Sequence, residues 1–112
     1  MAKYLVKANY TAPEGVRGLI ADGGSARVKA VEALLASLGG KVDAFYFAFG
    51  DVDAYVICDM PDPINGIALS LAVNASGAVV VNTIPLITPE DVDMAAKKAV
   101  QYRAPGAAKG KK

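Results

Sequence analysis

The chain contains no histidine. That absence removes the commonest general base, the usual proximal ligand of haem, and the imidazole partner of Ser–His and Cys–His nucleophile pairs. There is one cysteine, Cys58, in 112 residues, so an intramolecular disulfide is excluded and a zinc site of ordinary type is implausible. A lone cysteine within an apolar run is expected as a small buried hydrophobe, and so sparing a use suits a reducing cytoplasm. A glycine-rich phosphate loop is also missing. Gly39-Gly40 follows a helical run instead of opening one, and Gly23-Gly24 lacks the spacing and lysine of a nucleotide motif. No apolar run reaches the roughly 18 residues of a membrane span. Ile64 to Val81 comes nearest and is broken by Asn65, Gly66, Asn74, Ser76 and Gly77. Met1-Ala2-Lys3 leads directly into a strand-like run and reads as lacking a signal peptide, so no membrane partner is expected.

A broad basic face is absent as well. Residues 97–112 hold six of the twelve basic residues and no acid, which leaves six basic against eleven acidic residues in 1–96, a balance of −5. A mildly acidic body with a basic end does not match a nucleic-acid binder. One folded unit is expected over residues 1–101, followed by a solubilising, disordered basic tail over 102–112. With 54% hydrophobic and 21% charged residues, so short a chain holds more apolar surface than a small sphere buries alone. A subunit interface is therefore expected.

What is present is organised around Phe45 to Asp62. An aromatic run climbs to Gly50, reverses through Asp51 to Asp53, and returns through Tyr55-Val56-Ile57 to Pro61, the pattern of a β-hairpin. The strands are expected over Lys41–Phe49, with Phe45, Phe47 and Phe49 on one face, and over Asp53–Asp59. Neither has a plain polar face, so both faces are expected to be covered.

Before the hairpin, Lys3–Tyr10 alternates as a strand, with Tyr4, Val6, Ala8 and Tyr10 on one face. A short helix follows over Glu14–Ala21, with Pro13 suited to its first turn. After an irregularity at Gly23-Gly24, Ser25 is expected to cap a longer helix to Leu38. Its stripe is Val28, Val31, Leu34, Leu35 and Leu38, with Arg27, Lys29 and Glu32 on other faces. After the hairpin, Asp62 and Pro63 open a helix to about Ala75, with a buried stripe expected at Ile64, Ile67, Ala68, Leu71, Ala72 and Ala75. Ala78–Ile84 is a fourth strand, closed by Pro85. Thr88-Pro89-Glu90-Asp91 opens a last helix to about Gln101, with Lys97 and Lys98 in its final turns. The order is the βαββαβ pattern of a ferredoxin-like α+β fold, a four-stranded antiparallel sheet, with an extra C-terminal helix. Its open apolar face is expected to meet a second sheet in a dimeric α/β barrel.

Several stretches together resemble the GYD domain family of small bacterial and archaeal proteins. They are Leu38-Gly39-Gly40-Lys41, Phe49-Gly50-Asp51-Val52-Asp53 with Ala54-Tyr55-Val56-Ile57, Pro61-Asp62, Asn74-Ala75-Ser76-Gly77-Ala78-Val79, and Pro85-Leu86-Ile87-Thr88. The resemblance covers about residues 3–100. Val52 stands where the Gly-Tyr-Asp signature has its tyrosine. The resemblance implies the fold and no particular reaction. Relatives of that fold include small monooxygenases, isomerases, haem-using enzymes and ligand-sensing domains, and carrying any of these activities over rests on fold alone.

The candidate site residues each have two readings. Asp51 and Asp53 flank a turn, which Asp favours by bonding nearby backbone N–H groups. Alternatively, Asp53 is a pocket carboxylate near Tyr55 or Tyr46; as a metal pair the two acids would bind only weakly. Tyr10, Tyr46 and Tyr55 either pack in the core with their hydroxyls satisfied locally or line a ligand cleft. Asn74 either terminates a helix or faces a ligand. Lys7, Asn9 and Asn82 are strand polars fit for a barrel interior or an exposed edge.

Three functions remain in play, and no cofactor or metal is implied by any of them. The first is a homodimer or higher oligomer that holds a small, partly apolar ligand. The second is a cofactor-independent monooxygenase or isomerase with Asp53 as base and a tyrosine as donor to an enolate oxygen. The third is a purely structural assembly module.

Overall fold

The alternation of Tyr4, Val6, Ala8 and Tyr10 with Leu5, Lys7 and Asn9 produces strand β1 (Ala2–Tyr10) at the centre of the computed structural model, which describes residues 2–106. β1 is antiparallel to β3 (Ala54–Met60) on one side and to β4 (Val79–Leu86) on the other. β2 (Lys41–Phe47) adds to the outer side of β3, so the sheet order is β2-β3-β1-β4. With helices between β1 and β2 and between β3 and β4, this is the ferredoxin-like arrangement that the sequence order implies.

One face of the sheet carries the core. Tyr4, Val6 and Ala8 of β1, Val56, Cys58 and Met60 of β3, and Val79 and Val81 of β4 are buried there with Leu35 and Leu69. Leu35 comes from α2 (Gly24–Ser37) and Leu69 from α3 (Pro63–Ala75). Cys58 is fully buried, as expected of a small strand hydrophobe. Burial of each such leucine side chain contributes about 1.5–3 kcal/mol.

α1 (Glu14–Asp22) and α2 meet at Gly23, whose φ of 81° and ψ of 162° are open to glycine alone. Its N–H closes α1 on the Leu19 carbonyl at 2.8 Å, and its carbonyl accepts from the Arg27 N–H at 3.3 Å in the first turn of α2. Ser25 was expected to be the cap of α2. Gly23 takes that place and Ser25 lies inside the helix, because only glycine makes the reversal. Pro13 likewise precedes α1, as its N-cap.

The buried stripe of α3 differs from expectation. Gly66 and Leu69 are buried and Ser70 and Val73 half-buried, while Ile64, Ile67 and Leu71 are exposed. α3 is apolar on nearly every side, so two overlapping stripes fit its period, and polar anchors choose between them. The Ser70 and Thr83 hydroxyls lie 2.6 Å apart, and the Asn74 side-chain carbonyl accepts from the Val81 N–H at 2.8 Å. The N-terminus follows expectation: Asp62 caps it, accepting from the Asn65 N–H at 2.9 Å.

Three strand boundaries also move. β2 ends at Phe47, and an irregularity between Val42 and Ala44 puts Val42, Phe45 and Phe47 against the core, while Phe49 is exposed in the turn. β3 extends to Met60. β4 continues through Pro85, which pairs with Tyr4 at the sheet edge, where a missing N–H faces no further strand.

α4 (Pro89–Ala96) is capped by Thr88, which accepts from the Asp91 N–H at 3.1 Å. It buries no residue, and without packing to extend it the helix stops well before Gln101. Lys97 is its C-cap, so Lys98 follows the helix instead of lying in it. Residues 102–106 are exposed, and the rest of the expected basic tail lies outside the described residues. Among the described residues, no helix is long and apolar enough to cross a membrane.

Candidate functional site

Where β1 ends, the chain builds a junction. The Thr11 N–H donates to the Ala78 carbonyl at 3.0 Å, and its hydroxyl donates to the Gly77 carbonyl at 2.8 Å, which latches the start of α1 to the turn before β4. The Asp53 carboxylate accepts from the Tyr10 N–H at 2.9 Å, and the Asp53 N–H donates to the Asn9 side-chain carbonyl at 2.9 Å. The hairpin turn is thereby tied to the end of the central strand.

Three hollows surround this junction, and Tyr10 lines all of them. An interior slot of about 90 Å³ lies between the sheet and α2 and α3, walled by Val6, Ala8, Val31, Leu35, Phe45 and Leu69 among others. A cleft of about 430 Å³ opens outward between α1, α2 and α3 and carries Glu14, Asp22 and Arg27. The slot and the cleft share Tyr10, Arg27, Leu34, Val73 and Val79. A third hollow of about 390 Å³ is lined by Tyr10, Val16, Leu19, Phe47, Phe49 and Asp53.

Arg27 is the residue that the sequence reading did not single out. It was placed off the apolar stripe of α2, yet residues 27, 31, 34 and 38 follow the 4-3-4 spacing of one helical face. It therefore heads that stripe. Its side chain is only 29% exposed, its Nη1 lies 3.8 Å from Asp22 Oδ2, and its Nε is buried with no hydrogen-bond partner. An unpartnered buried donor costs about 1–3 kcal/mol.

The residues nominated from sequence separate into three places. Tyr10 and Asp53 share the third hollow on the helix side. Tyr46 and Tyr55 are register partners on the opposite, uncovered face, 73% and 39% exposed. Asp51 is exposed in the turn, and Asn74 holds the β4 edge through Val81, donating to its carbonyl at 3.4 Å as well as accepting from its N–H. Asp53 thus has a tyrosine beside it, but it is Tyr10 and neither Tyr55 nor Tyr46.

The uncovered face has its own order. Tyr46, Tyr55, Lys7 and Asn82 form one row across the four strands, and Ala44, Ile57, Leu5 and Ile84 form the next. At its rim Lys3 bonds Asp43 and, at 3.0 Å, Asp59. The bond and charge of Lys3 hold the Asp43 carboxyl below its ordinary range, and the two carboxylates raise Lys3 in return. Cys58 is pushed up to about 11, first by burial and then by the nearby Asp59 and Asp43 charges.

The GYD domain family model matches residues 4–96, most of the chain. No curated protein and no solved structure shows a significant match to it.

Proposed function

We propose, from the premise that this chain belongs to the GYD domain family, that it is a homo-oligomer whose subunits each hold a small, partly apolar molecule between sheet and helices. The observation that carries the binding reading is the slot beneath α2 and α3, apolar within and sharing Arg27 and four other wall residues with a wider cleft. Apolar walls with a few polar groups at the mouth are the usual form of a small-molecule site.

Self-association is supported by the other face of the sheet. Leu5, Ile57, Ile84 and Val80 lie there with Tyr46 and Tyr55, and no helix of the described chain packs over them. Such a face is unfavourable in water. Its single central charge, Lys7, leaves it able to meet an identical face about a two-fold axis, with apolar rows opposed.

Native mass spectrometry of the freshly purified chain tests both parts. A dimer or higher multiple that releases a discrete small mass on activation is the expected result. A monomer refutes the assembly, and an oligomer that never carries or takes up a small molecule refutes the binding role.

A second reading has one observation in its favour: Asp53 and Tyr10 line the same hollow, as a base and a hydroxyl donor of a cofactor-independent enzyme would. It predicts turnover of quinols, lactones or β-keto compounds that Asp53→Asn abolishes. A flat screen of those substrates rejects it.

A further inference from the structure

We propose that Arg27 is the anchor of a carboxylate, and that the ligand is a short-chain or single-ring carboxylic acid whose apolar part enters the slot between the sheet and α2 and α3. The inference rests on the small-molecule reading above and names the ligand's chemistry.

The argument begins with the guanidinium. Arginine presents Nε–H and an Nη–H side by side, a fork that matches the two oxygens of a carboxylate. In this chain the Nε–H is buried and unpartnered, and the nearest acid, Asp22, is 3.8 Å from Nη1, beyond hydrogen-bond length. Arg27 also lies on the wall common to the apolar slot and the polar cleft. A ligand with an acidic head and an apolar body satisfies both environments at once.

Size and charge narrow the class. The slot of about 90 Å³ has room for a ring or a short alkyl chain and not for a long acyl tail. Glu14 and Asp22 also line the cleft, so one positive group faces two acids there. That balance opposes a doubly charged phosphate ester more strongly than a head with a single negative charge.

The test is titration of the full-length protein, followed by calorimetry and by amide and arginine side-chain NMR. The probes are phenylacetate, hexanoate, phenylacetamide, phenyl phosphate and the neutral probe indole. We expect phenylacetate or hexanoate to bind and to shift the Arg27 Nε–H resonance. Phenylacetamide and phenyl phosphate should bind about tenfold more weakly or worse. Arg27→Gln should weaken the acids about tenfold or more, a far larger change than it makes in indole binding, and Arg27→Lys, which keeps the charge without the fork, should fall between.

Equal binding of phenylacetate and phenylacetamide to the wild-type protein overturns the proposal, and this comparison needs no variant to fold. Acid binding unaffected by Arg27→Gln overturns it too. If indole binds while the acids do not, the cavity reading survives and the carboxylate anchor fails. If none of the probes binds, both fail.

Discussion

The Asp53 carboxylate accepts the backbone N–H of Tyr10 at 2.9 Å and so fastens the hairpin turn to the last residue of the central strand. A residue nominated as a base is therefore also a structural tie, and the two roles separate by substitution. Asp53→Asn keeps a side-chain oxygen to accept this bond and should lower stability by less than about 1 kcal/mol. Asp53→Ala leaves the part-buried Tyr10 N–H without a partner and should cost about 1–3 kcal/mol in urea unfolding. Equal losses for both variants would show that charge, and not the hydrogen bond, matters at this position.

A pair of glycines in α1 gives opposite expectations. A Cβ on Gly15 would sit 2.0 Å from the Ala78 carbonyl oxygen, whereas one on Gly18 meets nothing within 4 Å. Gly15→Ala must push α1 away from the turn before β4 and should destabilise by about 1–3 kcal/mol or more. Gly18→Ala should stabilise by about 0.5–1 kcal/mol, since alanine restricts the unfolded chain and favours the helix. Thermal unfolding of the two variants is the check.

Cys58 connects stability to alkaline pH. Its thiol is raised from an ordinary value of 9.0 to about 11 in the folded chain, so above pH 9 the unfolded state loses a proton that the folded state keeps. The stabilisation is fully present below about pH 9 and is lost as pH rises through about 11. Cys58→Ala should flatten that part of the stability profile. In the wild-type protein at pH 8, a thiol reagent should label Cys58 only at the rate of unfolding. Prompt labelling under native conditions would contradict its burial.

Assembly through the uncovered sheet face makes a prediction that discriminates between surfaces. In the proposed assembly, Ile57→Glu or Tyr55→Glu places a charge in the middle of the opposed rows and should weaken association by about a hundredfold, read by light scattering after size exclusion. Ile67→Glu, on the exposed stripe of α3, should leave the oligomer intact. The reverse pattern would move the interface to the helix layer.

The order of elements was legible in the sequence because each has clear punctuation: Asp62 and Pro63 before α3, Thr88 and Pro89 before α4, and Gly39-Gly40 after α2. Orientation was harder. α3 is so apolar that its period alone admits two buried faces, and the choice rests on Ser70 meeting Thr83 and Asn74 meeting Val81, contacts between residues of different elements. The irregularity near Asp43 is equally silent in a pattern read two residues at a time, so Phe49 was grouped with Phe45 and Phe47 though it leaves the strand.

The site was less legible than the fold. Tyr46 and Tyr55 are conspicuous in sequence, yet they point away from the helices. Arg27 is inconspicuous because arginine is usually read as a solvated helix face. Its place at the head of the stripe of Val31, Leu34 and Leu38 was the available signal. Asn74 looked like a helix terminator and serves as a clamp on a strand edge, which only the neighbouring strand reveals.

The central position of β1 has a consequence for how the protein is made. It leaves the ribosome before either of its partners, β3 and β4, and the β1–β4 pairing joins Lys3 to Leu86. Until residue 86 has emerged, Tyr4, Val6 and Ala8 have no complete sheet to enter. The α2 segment and the β2–β3 hairpin, whose contacts are local, are free to form during synthesis. Closure of the sheet therefore waits until β4 has emerged. A truncation before β4 should yield a chain with an exposed apolar centre.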